Sequence, residues 1–464
     1  MTAAGTPGGG DAGLADVRAG LRMAAPPDPV QLAAERAKLT ELAAQPPLRR
    51  FAGYLGFVGP GYLQSAMTLG SGTAASCLFA GAVFGYELLW VAPLGMLLGV
   101  LVMGVISHQT LSTGQRPLPA MATHAGRWLA FAWAAAAALA SIIWHFPQYN
   151  LAASALSDAA EAVDLGGVPP GIASGFVLVW AIVLSMLYGK SPALVKLYER
   201  VLKYIVWGIV LSLLWVVIHT PTDWGAVARG FVPSLPASRG NITGVELVVS
   251  GIAAAVGINM VLLYPYSLLA RGWGKEHRGL AKFDLFAGMF VPYTLASSLL
   301  VIAAANTLHQ TGADITPKAG VKDLAVVLGS VIGPVAGRLL FDLGMVAMAL
   351  STITLHMLVC GFVAMEWFGL PFGSVRQRLF TLLPIPGALA PFFWGDYAVY
   401  LAVPTTIVCG AMLPIAYLGF LLLERAPGYL GAERRRGPWS SLVLVAAMVV
   451  VVAFLVSYLL AKFA

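Results

Sequence analysis

From Phe51 to the C-terminus the chain alternates between apolar runs and short breaks made of Gly, Pro or clustered charge. The runs fall near 51–80, 86–107, 128–153, 171–189, 200–219, 243–270, 284–306, 338–368, 378–395, 397–423 and 438–462. About 20 apolar residues in helical conformation match the roughly 30 Å thickness of a bilayer's hydrocarbon core. The pattern predicts an all-α integral membrane protein of eleven transmembrane helices, in one membrane domain over residues 48–464. Residues 1–47 read differently. The first 28 are rich in Gly, Ala and Pro and hold no continuous apolar run of signal-peptide type. They predict a cytoplasmic tail without regular structure, followed by a short amphipathic helix around Val30 to Ala44.

Composition sharpens this picture. Hydrophobic residues make up 59% of the 464 and charged residues 11%, with a mean hydropathy of +0.81, whereas a soluble domain is about 25% charged. The formal charge of +7 is spread in clusters between spans rather than along one stripe, so it reads as topology and not as a nucleic-acid surface. With the N-terminus inside, the inner connections carry Arg49 and Arg50, Arg116 and Arg127, and Lys190, Lys196, Arg200 and Lys203. They continue with Arg271, Lys275, Arg278 and Lys282, then Arg376 and Arg378, and finally Arg425 and Arg434 to Arg436. The connection after the third span carries Asp158, Glu161 and Asp164 instead. The positive-inside rule therefore places the N-terminus in the cytoplasm and, after eleven spans, the C-terminus outside a plasma or inner membrane. Cys77, Cys360 and Cys409 are far apart in apolar runs and suggest packing rather than a disulfide or thiolate site.

Two spans carry helix-weakening residues in their middles. Span 1 has Gly59-Pro60-Gly61 and then Gly70-Ser71-Gly72-Thr73; span 6 has Gly251, Gly257-Ile258-Asn259 and Pro265. If spans 1–5 and 6–10 are inverted repeats, these positions correspond. Paired interrupted helices point to a transporter's midplane site, because unwound backbone in a membrane is tolerated where it lines a cavity. Gly-mediated helix packing is the alternative reading of either cluster alone.

At these residues the sequence resembles the Nramp (natural resistance-associated macrophage protein) family of proton-coupled divalent-metal transporters. Gly59 to Leu63 through Gly85-Tyr86-Glu87-Leu88-Leu89-Trp90 is similar to the family's first span and its entry to the second. Ser351-Thr352-Ile353-Thr354, followed by Met365-Glu366, resembles its eighth span, and Leu413-Pro414 its tenth. The resemblance implies a LeuT-type fold: a 5+5 inverted repeat with broken helices 1 and 6, plus an extra C-terminal helix.

The resemblance weakens at the family's metal ligands. The Asp-Pro-Gly-Asn signature aligns with Gly70 to Thr73, and Met-Pro-His with Gly257 to Asn259. Met260 lies one residue on, where a helical step of about 100° directs it elsewhere. A second family histidine aligns with Tyr264, the acids of span 3 fall near Phe146 and Tyr149, and a glutamine of span 10 aligns with Thr406. The expected substrate site is thus Gly70, Ser71, Gly72, Thr73, Gly257, Ile258, Asn259, Tyr264, Ser351 and Thr406. Thr73 and Asn259 are its metal ligands if it takes a metal. Hydroxyls, an amide and backbone carbonyls suit a hydrated, Mg²⁺-like cation better than a bare transition metal. An organic or amino-acid-like anion, held by amides at the glycine-rich break, stays open as the alternative cargo.

Trp144 to Asn150 is a polar run in the middle of span 3. His145 there, with Tyr149 and with His356 of span 8, is a candidate proton relay in place of the missing acids; a hydrogen-bonded packing histidine is the ordinary alternative. Glu366, Asp342 and Asp396 lie towards span ends, where a salt bridge is the ordinary role. No nucleotide, zinc-hydrolase, serine-hydrolase or redox motif is present. The expectation is a non-enzymatic secondary transporter with no cofactor, a small solute or ion as cargo, the lipid bilayer as surroundings and proton coupling. A transporter-like receptor that has lost transport is the second class.

Overall fold

In the computed structural model of the protein, residues 28–187, 192–312, 314–435 and 437–463 are described, without the side chains of 192, 193, 195, 196, 198, 199 and 463. The expectations for residues 1–27 and for Lys190 and Arg436 lie outside them. Among the described residues there is no β-strand, and nine helices are long and apolar enough to cross a membrane. A tenth crossing is the bent pair Pro60–Thr68 and Ser71–Phe84.

The spans follow the hydropathy pattern closely. Span 2 is Val91–Thr113, span 3 Arg127–Ala162, span 4 Pro170–Leu187 and span 5 Pro192–His219. Span 6 is split into Gly244–Ala255 and Ile258–Ala270, as span 1 is split, five spans apart. Span 7 covers Lys275–His309 and contains two π-helical stretches that hydropathy does not reveal, Leu285–Phe290 and Ala305–His309. Span 8 is Pro334–Phe368, closed by Gly369 in the left-handed region at φ 62°. Span 10 is Ala402–Arg425 and span 11 begins at Trp439.

Span 9 departs from expectation. Prolines cut 378–395 into short pieces, Val375–Phe380, Ile385–Leu389, Ala390–Trp394 and Gly395–Tyr397, because each lacks an N–H and clashes with the preceding turn. The segment still runs antiparallel along span 4. Arg378 Nη1 donates to Met186 O at 3.0 Å, Ser174 Oγ donates to Ala388 O at 2.6 Å, and Phe392 lies beside Gly171. Going from 186 to 171 traverses about 22 Å of helix. The architecture is therefore compatible with eleven crossings, one of them irregular.

Contacts sort the connections onto two faces. On the basic face, Arg278 and Lys275 pair with Glu433 at 2.7 and 2.9 Å, and Arg116 pairs with Glu366 at 2.9 Å. Lys275 and Arg278 hold the half-buried Glu433 carboxyl below the usual carboxylate range. A depressed folded pKa means this tie is complete at neutral pH and is lost as pH falls through that lowered value. The helix Pro29–Ala43 docks on the same face, with Trp273 Nε1 donating to Glu35 at 3.1 Å. On the opposite face, Tyr86 donates to Asn306, which donates to Thr220 and Thr222 at 2.8 and 2.7 Å; Arg239 pairs with Glu87 at 2.9 Å.

One contact anchors the first half of span 1. The fully buried Asp284 of span 7 accepts from Gly59 N at 2.8 Å and Gly61 N at 2.6 Å, capping the amides at that half-helix's start. Any Cβ at Gly61 would strike the Asp284 carbonyl. Asp284→Asn removes the charge and one acceptor, and is expected to cost about 1–3 kcal/mol. It should lower the Tm of the purified protein, while the exposed Asp396→Asn leaves Tm unchanged.

Candidate functional site

The two breaks are built from unlike residues. In span 1 the chain leaves the helix at Leu69 (ψ 63°), Gly70 is extended, and a new helix starts at Ser71, bent by 54° from the first. The glycines are required by close approach. A Cβ at Gly70 would sit 2.5 Å from Thr352 Oγ1, and one at Gly72 2.5 Å from Trp144 Cη2 and 3.0 Å from Thr406 Oγ1. Thr73 Oγ1 reaches back across the break to Thr68 O at 2.7 Å, and Ser71 N donates to Gln148 Oε1 at 3.1 Å. In span 6, Val256 and Gly257 are extended. The new turn is capped from within: Met260 N donates to Asn259 Oδ1 at 3.1 Å, and Gly257 N approaches Met260 Sδ at 3.4 Å.

Between the breaks lies a pocket of about 20 Å³, large enough for one water-sized occupant. Thr68, Gly70, Gly72, Thr73, Gly257, Asn259 and Met260 line it from spans 1 and 6; Trp144 and Gln148 line it from span 3, Thr352 and His356 from span 8. No Asp or Glu lines it. Among the described residues no group of three His, Cys, Asp or Glu side chains is placed to hold a metal. Asn259 Nδ2 and His356 Nδ1 are buried without a hydrogen-bond partner. An apolar cavity of about 30 Å³ adjoins it, reaching Leu69 and Thr73 past Leu340, Phe341 and Met348.

Of the residues expected at the site, Gly70, Gly72, Thr73, Gly257, Asn259 and His356 line this pocket. Ser71 contributes its backbone amide, and Thr406 lies behind Gly72 with its hydroxyl on Ala402 O at 2.6 Å. Three do not reach it. Ile258 packs in the apolar core. Tyr264 is turned towards span 7, donating to Ala281 O at 3.3 Å. Ser351 is bonded to Ala66 O at 3.1 Å, one helical step from the pocket, and its neighbour Thr352 takes the position.

Met260 corrects the sequence reading. The first turn after Gly257 folds the Met260 side chain back over the break, where Thr68 Oγ1 donates to its sulfur at 3.3 Å. A step of 100° counted along an unbroken helix does not apply where the helix restarts. Sequence reasoning also misses Gln148, although it lies in the polar run of span 3 that the sequence singles out.

The three relay candidates form one cluster that starts at His356 in the pocket wall and continues behind it with His145 and Tyr149. The rings of His145 and His356 are 5.9 Å apart, and those of His145 and Tyr149 also 5.9 Å. His145 Nδ1 lies 2.7 Å from Ser141 O, leaving its Nε2 and the Tyr149 hydroxyl buried without partners. His356 stacks on Trp144 at 6.1 Å. The other acids divide: Glu366 has the expected ion pair, whereas Asp342 is fully buried with no donor on either oxygen.

Comparison with known proteins now decides the family. The family model for natural resistance-associated macrophage protein-like sequences matches residues 61–462. The chain belongs to the Nramp family. Among its relatives, the divalent metal cation transporter MntH of Brucella suis is 25% identical over 422 residues, covering 87% of this chain and 88% of that protein. MntH of Deinococcus radiodurans is 26% identical over 413 residues, covering 86% and 88%. Among solved structures, a mutant of the Eremococcus coleocola manganese transporter aligns with a TM-score of 0.71 at 17% identity, covering 87% of this chain and 86% of that one. Mhp1, a nucleobase-cation-symport-1 family transporter in a closed conformation, aligns at 0.56 and 16% identity, covering 87% of each chain. These likenesses establish the LeuT-type fold of this Nramp member.

Gln148 is the partner of an amide freed by the break, so Gln148→Ala leaves Ser71 N–H buried and unsatisfied. The expected cost is about 1–3 kcal/mol, read as a lower Tm, with Gln148→Glu, which keeps an acceptor, closer to wild type.

Proposed function

We propose that this Nramp member is a secondary transporter of a divalent transition-metal cation of the Mn²⁺ class, working by alternating access around the pocket at the two breaks. The observation that carries this reading is the pocket's lining of uncharged oxygen, nitrogen and sulfur atoms with no Lys or Arg, beside amides that are already bonded. At the positive ends, Ser71 N is closed to an anion, since Gln148 accepts from it; Gly257 N and Met260 N are taken by Met260 Sδ and Asn259 Oδ1. The negative ends, at Thr68 and Ala255, meet at the same pocket, which Thr68 and Ala254 line. Thr68 O there accepts from Thr73 Oγ1 at 2.7 Å and Gly70 N at 2.8 Å, which leaves the span 6 end as the one facing the pocket. Half-helix C-termini carry about half a negative charge each and favour a cation. Asn259, Thr68, Thr73 and His356 add neutral oxygen and nitrogen donors, and Met260 adds a thioether, which favours softer metals over Mg²⁺.

The pocket volume of about 20 Å³ argues against an amino-acid-sized anion and against a fully hydrated Mg²⁺. The relatives' names as cation transporters bear in the same direction. In this reading the basic face is cytoplasmic, with residues 1–47 on that side and the C-terminus outside. His356, His145 and Tyr149 carry protons to and from the pocket, replacing the acids of span 3.

Isothermal titration of the purified full chain with Mn²⁺ and Mg²⁺ tests the cargo. Saturable Mn²⁺ binding is expected, lost in Asn259→Ala and in Gly72→Val, which fills the pocket. Met260→Leu should weaken Mn²⁺ binding about tenfold, or about 1.4 kcal/mol, with little change for Mg²⁺. No Mn²⁺ heat in the wild type, together with binding of a carboxylate-bearing solute, would overturn the metal reading.

A further inference from the structure

Spans 3 and 8 pack along each other for most of their lengths, and their shared seam leads from the pocket to the face opposite the basic one. On span 8, His356, Ala349 and Asp342 are seven residues apart and share one helical face. On span 3, His145, Tyr149 and Asp158 follow in the same direction, with Tyr149 in one buried apolar cluster with Ala349 and Ile353 of span 8. The seam therefore holds the two histidines at its inner end and two carboxyls at its outer end.

The outer end is unusual in its charge. Asp158 is bonded by Arg338 through Nε, at 2.8 Å, and Nη2; the same Nη2 lies 3.3 Å from Glu161, which also faces Lys322 at 3.7 Å. Asp342 lies one turn along from Arg338, on the side of span 8 from which that guanidinium grips Asp158, so the two carboxyls are neighbours. It is fully buried, and no protein donor reaches either of its oxygens. Span 4 and the short helix Val326–Ile332, which pack on this end of span 8, contain no charged residue. Span 5 has none in this half before His219, which is exposed and lies 2.8 Å from Trp215 O. Among the described residues one guanidinium bonds Asp158 and Glu161, and it stands near Asp342 without donating to either of its oxygens. Two ionised carboxylates side by side here would leave a buried negative charge uncompensated. A proton on Asp342 removes that charge and lets its hydroxyl donate to Asp158.

We propose that Asp342 and Asp158 form a proton-binding pair that exchanges with solution at this face and loads the seam leading to His145 and His356. The loading role rests on the transport reading above; the presence of the proton does not. Infrared spectroscopy of the full chain in liposomes at neutral pH separates the two. A protonated-carboxyl C=O band is expected, shifting on transfer to D₂O, absent in Asp342→Asn and retained in Asp342→Glu. A wild type without such a band, or a band unchanged in Asp342→Asn, overturns the proton site, and Asp342→Glu guards against misfolding as the cause of loss. In the same vesicles, proton entry driven by inward Mn²⁺ flux should fall at least tenfold in Asp342→Asn while Mn²⁺ uptake down its own gradient persists. Unchanged proton entry overturns the loading role. A wild type that moves no Mn²⁺ but shows the band sinks the cargo reading and upholds the proton site.

Discussion

Hydrocarbon offers no hydrogen bonds, so every backbone group released by a helix break in a membrane must be met by protein. That constraint organises the centre of this molecule. Breaking spans 1 and 6 frees amides at Ser71 and Gly257, and the chain answers with Gln148 and the Met260 sulfur, while Met260 N is shared between Gly257 O and the Asn259 side-chain carbonyl. Thr73 and Thr352 serve carbonyls of the first half of span 1 in the same way. Side chains from spans 1, 3, 6 and 8 must therefore converge, and the small pocket is the space their convergence leaves.

The same requirement sets the pocket's electrostatics. The Thr68 carbonyl at the end of the first half of span 1 is already taken by Thr73 Oγ1 and Gly70 N, so the pocket, which no carboxylate lines, offers an incoming group the half-helix end of span 6 and the neutral side chains of Asn259, Met260 and His356. Around it, span 1 is held from both sides. Asp284 caps the start of its first half on the basic face, and Trp207 donates to Tyr62 at 3.0 Å. The Tyr86–Asn306–Thr220 network ties the chain beyond its second half on the other face.

Hydropathy located the spans because a helix that faces lipid must be apolar along its length, and the glycine clusters marked both breaks. The proline-cut span 9 and the π-helical stretches of span 7 were not legible, since both depend on neighbours: span 9 keeps its course by lying along span 4. At the site, Gly70, Gly72, Thr73 and Asn259 could be chosen from sequence because breaks need small or self-capping residues. Tyr264 and Ser351 were misplaced because their faces are set by helix rotation against spans 7 and 1.

The sequence alone determined the all-helical membrane architecture, the family and the two interrupted spans, because those follow from composition and local backbone preference. Only the tertiary structure decided that Met260 turns back into the pocket and that Gln148 occupies the amide an anion would need. It also decided that Asp342 is buried where, among the described residues, no donor reaches its oxygens. Each of these depends on which side chains from distant spans arrive at one point, and spacing along the chain does not encode that.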